Sequence, residues 1–385
     1  MNETKAFICP TCGAPLDYQN SQDPTIRCPF CDTSIIVPEE LRTNKPQGTP
    51  SKVAISLPVG LPVQTGAPEQ IARRSIAAVL IAASVSVVVI AGLVGILLTT
   101  GKHQTGIRGV AHGLAGGPSR VVLSFGGEGT GPGMFQDARH VAVDGRGNVY
   151  VGEYQDGRIQ MFDPAGKFLG LWRLDRKKVL TGFAVDRQGI AYAVLSGAGI
   201  NRYEAATGKF LDKIGYQEDY GFEDVQVTAD GGLVTFWCSI HDDIVRFDPQ
   251  GKVVFTIQKA ISGQTDESEL SARIASDGLG NIFALGEFNN AVFKFSPEGK
   301  YLNRFGGEGD QPGQFRAPGA IGVDGQGRVY VSDFKGIQIF DGEGRYIDLI
   351  KVDGFAFGMM FDDRNELFVT TGKKVIKYEV TLGAK

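Results

Sequence analysis

From Arg120 onward the chain repeats itself at a period of roughly 40 residues, and a period of that length with this internal pattern excludes most folds. One unit reads VAVDGRGNVYVGEYQDGRIQMFDPAGKFLGLW, and a later one IGVDGQGRVYVSDFKGIQIFDGEGRYIDLI. Between them lie FAVDRQGIAYAVLSGAGINRYEAATGKFLDKI, VQVTADGGLVTFWCSIHDDIVRFDPQGKVVFTI and IASDGLGNIFALGEFNNAVFKFSPEGKYLNRF, and the last unit is the shorter MMFDDRNELFVTTGKKVIKYEV. Each unit holds four short apolar runs separated by a D-x-x-G turn, a polar loop and a second turn of the DPxGK kind. Turns of this kind place glycine where positive φ is needed, which accounts for 53 glycines without a collagen period.

Four antiparallel strands every 40 or so residues predict the blades of a β-propeller. The sixth unit runs out after its third strand, at about Val380. The segment RVVLSFG from Arg120 to Gly126 has the pattern of a fourth strand and precedes the first unit. Pairing the two closes the ring at six blades and removes the unpaired edges that promote aggregation. The fold class expected is therefore all-β, a six-bladed propeller over residues 120–385.

The units resemble NHL repeats across nearly all of residues 120–382. The resemblance is carried by FGGEGTGPGMFQDARHVAVDGRGNVYV with RIQMFDPAGKFL in the first unit, and by FGGEGDQPGQFRAPGAIGVDGQGRVYVSD with IQIFDGEGRY in the fifth. The second, third and sixth units lack the FGGxG lead. The two glycine strings also lack the lysine and helix of a phosphate loop, so they read as turns. Trp172, Trp237 and the phenylalanines read as packing between blades.

In a propeller, the first-to-second and third-to-fourth strand turns share one face, which here carries only short structural turns. The opposite face carries the second-to-third loops and the connections between blades, and is the expected binding surface. Its loops contribute Glu153, Tyr154, Asp156 and Arg158, then His241, Asp242 and Asp243. Further round come Glu287, Phe288, Asn289 and Asn290, and then Asp333, Phe334 and Lys335. Arg139, His140, Glu223, Asp224 and Arg273, near the starts of the innermost strands, are expected to rim the channel mouth.

The expected ligand of that face is a protein, peptide or glycan. An alternative is a lactonase- or esterase-like hydrolase with a divalent metal at the mouth, for which Glu223, Asp224, His140 and Asn289 supply suitable donors. The NHL-fold lyase that acts on peptide α-hydroxyglycines depends on several histidine ligands, whereas this propeller has only His140 and His241. No G-x-S-x-G elbow, Walker loop or H-E-x-x-H occurs. Residues 120–385 hold 30 Lys and Arg against 36 Asp and Glu, a net charge of −6 that argues against nucleic-acid binding by the propeller.

Ahead of the propeller, FICPTCGAPLDYQNSQDPTIRCPFCDTSIIVP carries two C-x-x-C knuckles. Cys9, Cys12, Cys28 and Cys31 form the four-thiolate set of a structural zinc site, closed to substrate, and residues 1–38 resemble a bacterial zinc ribbon. Residues 39–75 are a Pro-rich linker, and 76–98 (IAAVLIAASVSVVVIAGLVGILL) carry no charge. At 1.5 Å per residue such a helix spans roughly 34 Å, enough to cross a bilayer once. Arg73 and Arg74 before the span favour a cytoplasmic N-terminus, on the side where metal-binding thiols stay reduced, and place the propeller outside the cell membrane. Residues 99–119 read as a Gly-rich stalk. The ribbon is expected to meet a cytoplasmic partner, protein or nucleic acid.

Overall fold

The structure, a computed structural model, describes residues 5–8, 15–18, 25–27, 34–36, 117–175, 177–217, 220–238 and 241–382. At the N-terminus β1 (Lys5–Ile8) pairs antiparallel with β2 (Pro15–Tyr18), and β3 (Thr25–Arg27) with β4 (Ser34–Ile36). Each C-x-x-C falls in the connection of one of these hairpins. The four cysteines, the linker, the 76–98 span and the stalk up to residue 116 lie outside the described residues. Among the described residues no helix is long and apolar enough to cross a membrane.

Residues 119–380 form six four-stranded antiparallel sheets. Blade one is β6 (Ala138–Val143), β7 (Val149–Glu153), β8 (Arg158–Phe162) and β9 (Phe168–Arg173). Blade two is β10 (Leu180–Val185), β11 (Ile190–Leu195), β12 (Gly199–Glu204) and β13 (Lys209–Ile214). Blade three is β14 (Phe222–Val227), β15 (Leu233–Cys238), β16 (Asp242–Phe247) and β17 (Val253–Ile257), and blade four β18 (Ala272–Ser276), β19 (Ile282–Gly286), β20 (Ala291–Phe295) and β21 (Tyr301–Gly306). Blade five is β22 (Ala320–Val323), β23 (Val329–Asp333), β24 (Gly336–Phe340) and β25 (Tyr346–Ile350).

The sixth sheet runs β26 (Gly358–Phe361), β27 (Glu366–Thr370), β28 (Lys374–Val380) and then β5 (Ser119–Gly126). The closing pair runs from Val380 opposite Ser119 to Lys374 opposite Gly126. The ring is thus sealed by the strand that the sequence pattern assigns to it, beginning one residue earlier than expected.

Second strands such as β7, β19 and β23 are buried at every position, because each is covered by a neighbouring blade on both faces. Fourth strands, on the outside, are mostly exposed or half-buried. Six apolar clusters fill the six gaps between neighbouring blades; Phe162, Phe368 and Val375, for instance, join blades one and six. Trp172 and Trp237 are buried in two of them, with each indole N–H donated to a backbone carbonyl at 2.8 Å. In every blade the pairing of third and fourth strands slips by one residue at the same place, a bulge that tightens the twist of the outer edge.

The D-x-x-G turns explain why aspartate recurs. Asp144 Oδ1 accepts the N–H groups of Arg146 and Asn148 at 2.9 Å, while Oδ2 accepts the Tyr150 hydroxyl at 3.1 Å. Asp186 and Asp324 make the same turn with Tyr192 and Tyr330. Gly147 closes the turn at φ 83°. These carboxylates are engaged by backbone, so this face of the ring is structural in its chemistry.

Candidate functional site

The inner strands enter from the loop face, which brings their first residues together at one mouth of the central channel. In blades one, two and three the first strand carries a bulge at this point, between Ala138 and His140, between Leu180 and Gly182, and between Phe222 and Asp224. The inserted residues are Arg139, Thr181 and Glu223. Bulges redirect a side chain out of the sheet alternation and collect beside functional sites. The channel is a cavity of about 300 Å³, lined from Arg139, His140, Asp224 and Arg273 at this end to Asp144, Asp186 and Asp363 at the other. A recess of about 140 Å³ at the mouth is walled by Arg139, His140, Tyr154, Arg273, Glu287, Gly319, Phe355 and Phe357.

Arg273 organises the centre. Its Nε donates to Glu287 Oε1 at 2.8 Å and its Nη1 to the Thr181 carbonyl at 3.0 Å, tying blade four to blade two across blade three. Asp224 accepts the N–H groups of Val225 and Ile274, both at 2.9 Å. Gly182 makes this approach possible, because a Cβ there would stand 2.8 Å from Asp224 Cα. His140 Nε2 donates to the Leu180 carbonyl at 2.9 Å. Arg139 donates from Nε to Asp137 at 2.8 Å and lies 4.1 Å over the Tyr154 ring and 5.2 Å from the Phe357 ring.

Seven of the residues expected at the binding face therefore meet at the mouth: Arg139, His140, Tyr154, Glu223, Asp224, Arg273 and Glu287. Most of the others lock loops, whereas His241, Phe288 and Phe334 are exposed. Glu153 is buried and accepts from Arg158 and from Gln136 N, both at 2.8 Å. Asp242 accepts the N–H groups of Ile261 and Ser262 at 2.7 Å, and Asp243 that of Lys259 at 3.0 Å, pinning the connection between blades three and four. Asn289 donates to Glu269 at 2.9 Å. Asp333 holds Lys335 N at 2.8 Å and Gln338 Nε2 at 3.0 Å, while Lys335 Nζ reaches the Gln314 carbonyl at 2.8 Å. His241 is exposed beside Asp242.

Asn289 is thus committed elsewhere, and Arg273 supplies a cation among the three acids Glu223, Asp224 and Glu287. Among the described residues no group of three His, Cys, Asp or Glu side chains is arranged to hold a metal ion. Sequence reasoning missed Thr181, Phe355 and Phe357. The alternation of glycine with phenylalanine in DGFAFG was the available signal, since aromatic side chains in a connection between blades have no sheet to pack against.

No protein-family model matches the sequence, and no curated protein is significantly similar to it. Solved structures do match. A gluconolactonase from Xanthomonas campestris superposes with a TM-score of 0.52 at 16% identity, over 68% of this chain and 99% of that one. A luciferin-regenerating enzyme gives 0.52 at 13% identity, over 68% and 96%. A structural-genomics protein of unknown function from Bacteroides thetaiotaomicron gives 0.53 at 14%, over 68% and 76%. The likeness is one of fold.

The mouth sets two opposed pH dependences. Burial, aided by the Arg273 charge, lowers the His140 imidazole from 6.5 to about 3. Burial raises the Asp224 carboxyl from 3.8 to about 6, against the pull of Arg273 and two backbone N–H groups. His140 thus contributes stability that is present above pH 6.5 and lost as pH falls towards 3, because the unfolded chain takes up the proton first. Asp224 has the reverse sign, favouring the fold below pH 3.8 and losing that contribution as pH rises through 6. In His140→Gln, which keeps a donor for Leu180, the melting temperature should fall less between pH 7 and pH 4 than in the unaltered protein. Parallel curves would show that the histidine takes no part.

Proposed function

We propose that this chain is a membrane-anchored binding protein whose propeller presents its loop face, outside the cell, to a protein or peptide ligand. The observation that carries the reading is a continuous track of rings around the mouth. Phe334 lies 5.8 Å from Phe355, Phe355 5.0 Å from Phe357, and Phe357 5.2 Å from the Arg139 guanidinium, which stacks on Tyr154. Phe334 is 68% exposed, and Phe288, Leu270 and Tyr220 are also exposed on this face. Among the described residues, the turn face exposes Leu279 alone of the large apolar side chains. Exposed apolar side chains gathered on one face, beside a recess with a few convergent polar groups, mark that face as a recognition surface.

The anchor is the uncharged 76–98 segment. The zinc site of Cys9, Cys12, Cys28 and Cys31 is supported by the two short hairpins, each with one knuckle in its connection. A photo-crosslinking residue placed at Phe288 or Phe334 in the full chain in cells should yield discrete adducts, and one at Leu279 none. Equal yields from both faces would refute the assignment. The same preparation should contain one zinc per chain, lost on Cys→Ser replacement in either knuckle.

A hydrolase is the second reading, favoured by Asp224, which lines the channel with its carboxyl raised to about 6, and by the neighbouring Glu223, which burial also raises, since an acid or base near neutrality has use there. The fold shared with a gluconolactonase is compatible with it. It requires lactone or ester turnover by the full chain that is lost in Glu223→Gln.

A further inference from the structure

We infer that the recess at the channel mouth takes a carboxylate of the ligand, bound by the fork of Arg139; this deepens the binding reading above and rests on it. Arg139 is the inserted residue of its bulge and is immobilised on two sides. Its Nε edge is tied to Asp137 at 2.8 Å and its face lies 4.1 Å over Tyr154. Nη1 and Nη2 have no hydrogen-bond partner among the described residues, and the side chain lines the recess. A planar guanidinium held in this way presents two parallel donors that match a carboxylate and lose little entropy on binding it.

The other cation of the recess is already engaged, since Arg273 donates to Glu287 and to Thr181. Of the side chains that line the recess, Arg139 and Arg273 are the cations and Glu287 the one acid. Asp137 holds the Nε edge of Arg139, while Glu223, Asp224 and Glu287 offset Arg273, and His140 is neutral above about pH 3. The outward Nη edge of Arg139 is therefore the donor pair left for an anion. A cavity of about 140 Å³ admits a group of about the size of benzene. Phe355 and Phe357 make one wall apolar, so the carboxylate that fits is one joined to a small apolar or aromatic body. A peptide offers it from its C-terminus or from an acidic side chain beside an aromatic one.

Ligand-observed NMR on the full chain in detergent, with phenylacetate, phenylacetamide and phenethylammonium as probes, tests this. Phenylacetate should bind at least tenfold more tightly than either of the others. Arg139→Gln and Arg139→Lys should each lose that preference, the lysine because a point charge cannot replace the fork, whereas Arg187→Gln at the far end of the channel should keep it. Tyr154→Leu, which removes the stacking ring and leaves the charge, should weaken phenylacetate severalfold and guards against misfolding of the arginine variants. Competition by a tripeptide ending in free Phe, by its amide, and by an amidated Glu-Phe peptide identifies the source of the carboxylate. Equal binding of phenylacetamide, preference for phenethylammonium, unchanged binding in Arg139→Gln, or no competition by any peptide acid would overturn the inference. Loop-face crosslinks from Phe334 that persist under those outcomes would leave the broader reading standing and remove only this one.

Discussion

Arg158→Met should destabilise the propeller by about 3–5 kcal/mol, seen as a lower denaturant midpoint with an unchanged slope. Arg158 is only 1% exposed and donates to the Thr130 carbonyl, to the Met134 carbonyl at 3.1 Å and to Glu153 at 2.8 Å. Methionine fills the volume and strands a carboxylate that is 2% exposed with one backbone donor left. The cost is that of a buried charge deprived of its partner. Adding Glu153→Gln should therefore recover part of the loss, and a double variant no better than the single one would contradict the explanation.

Blade five repeats the lock with weaker parts. Lys335 caps the Gln314 carbonyl and Gln338 holds Gly313 N, just as Gln160 holds Gly133 N. Because the Lys335 side chain is 26% exposed, Lys335→Met should cost only about 1 kcal/mol. The two FGGEG strings are thus loops wrapped around cations of the protein itself. Gly306 shows their tightness: at φ 95°, a Cβ there would run into the Phe315 ring.

Replacing Ser119–Gly126 in the full chain by a Gly/Ser segment of equal length should abolish cooperative unfolding of the propeller and drive aggregation. β5 supplies the whole outer strand of blade six, and Phe125 packs on Phe162 of blade one at 4.6 Å between ring centres. Without it β28 presents an unpaired edge, and the seam between blades six and one loses Phe125 and keeps only the inner contacts of Phe162 with Phe368 and Val375. A soluble, cooperatively melting variant would show that β5 is dispensable to closure.

Much of this architecture was legible in the chain because a propeller is built from local rules repeated. Each turn states its own geometry through aspartate and glycine, and each strand its own pairing through the next turn. The mouth was legible in part, since position at the start of an inner strand is itself a repeat-level property. Arg139, His140, Glu223, Asp224 and Arg273 were found in that way. Phe355 and Phe357 were missed because they lie in a connection between blades, where no period applies.

The residues of the second-to-third loops illustrate the other limit. Glu153, Asp242 and Asp333 are polar loop residues by sequence, yet each is buried and bonded to backbone. Composition cannot distinguish a carboxylate that meets solvent from one that caps a neighbouring loop, because the difference depends on which distant segment folds over it.

The repeat by itself determined the number of blades, the identity of the closing strand and the division into a turn face and a loop face, since these follow from hydrogen bonding between segments adjacent in the chain or matched in pattern. Only the tertiary structure decided which polar residues are left facing the mouth. Three neighbouring bulges, a glycine that lets blades two and three touch, and an arginine reaching across a blade are relations between segments tens of residues apart. No local propensity encodes those distances; packing of the closed ring does.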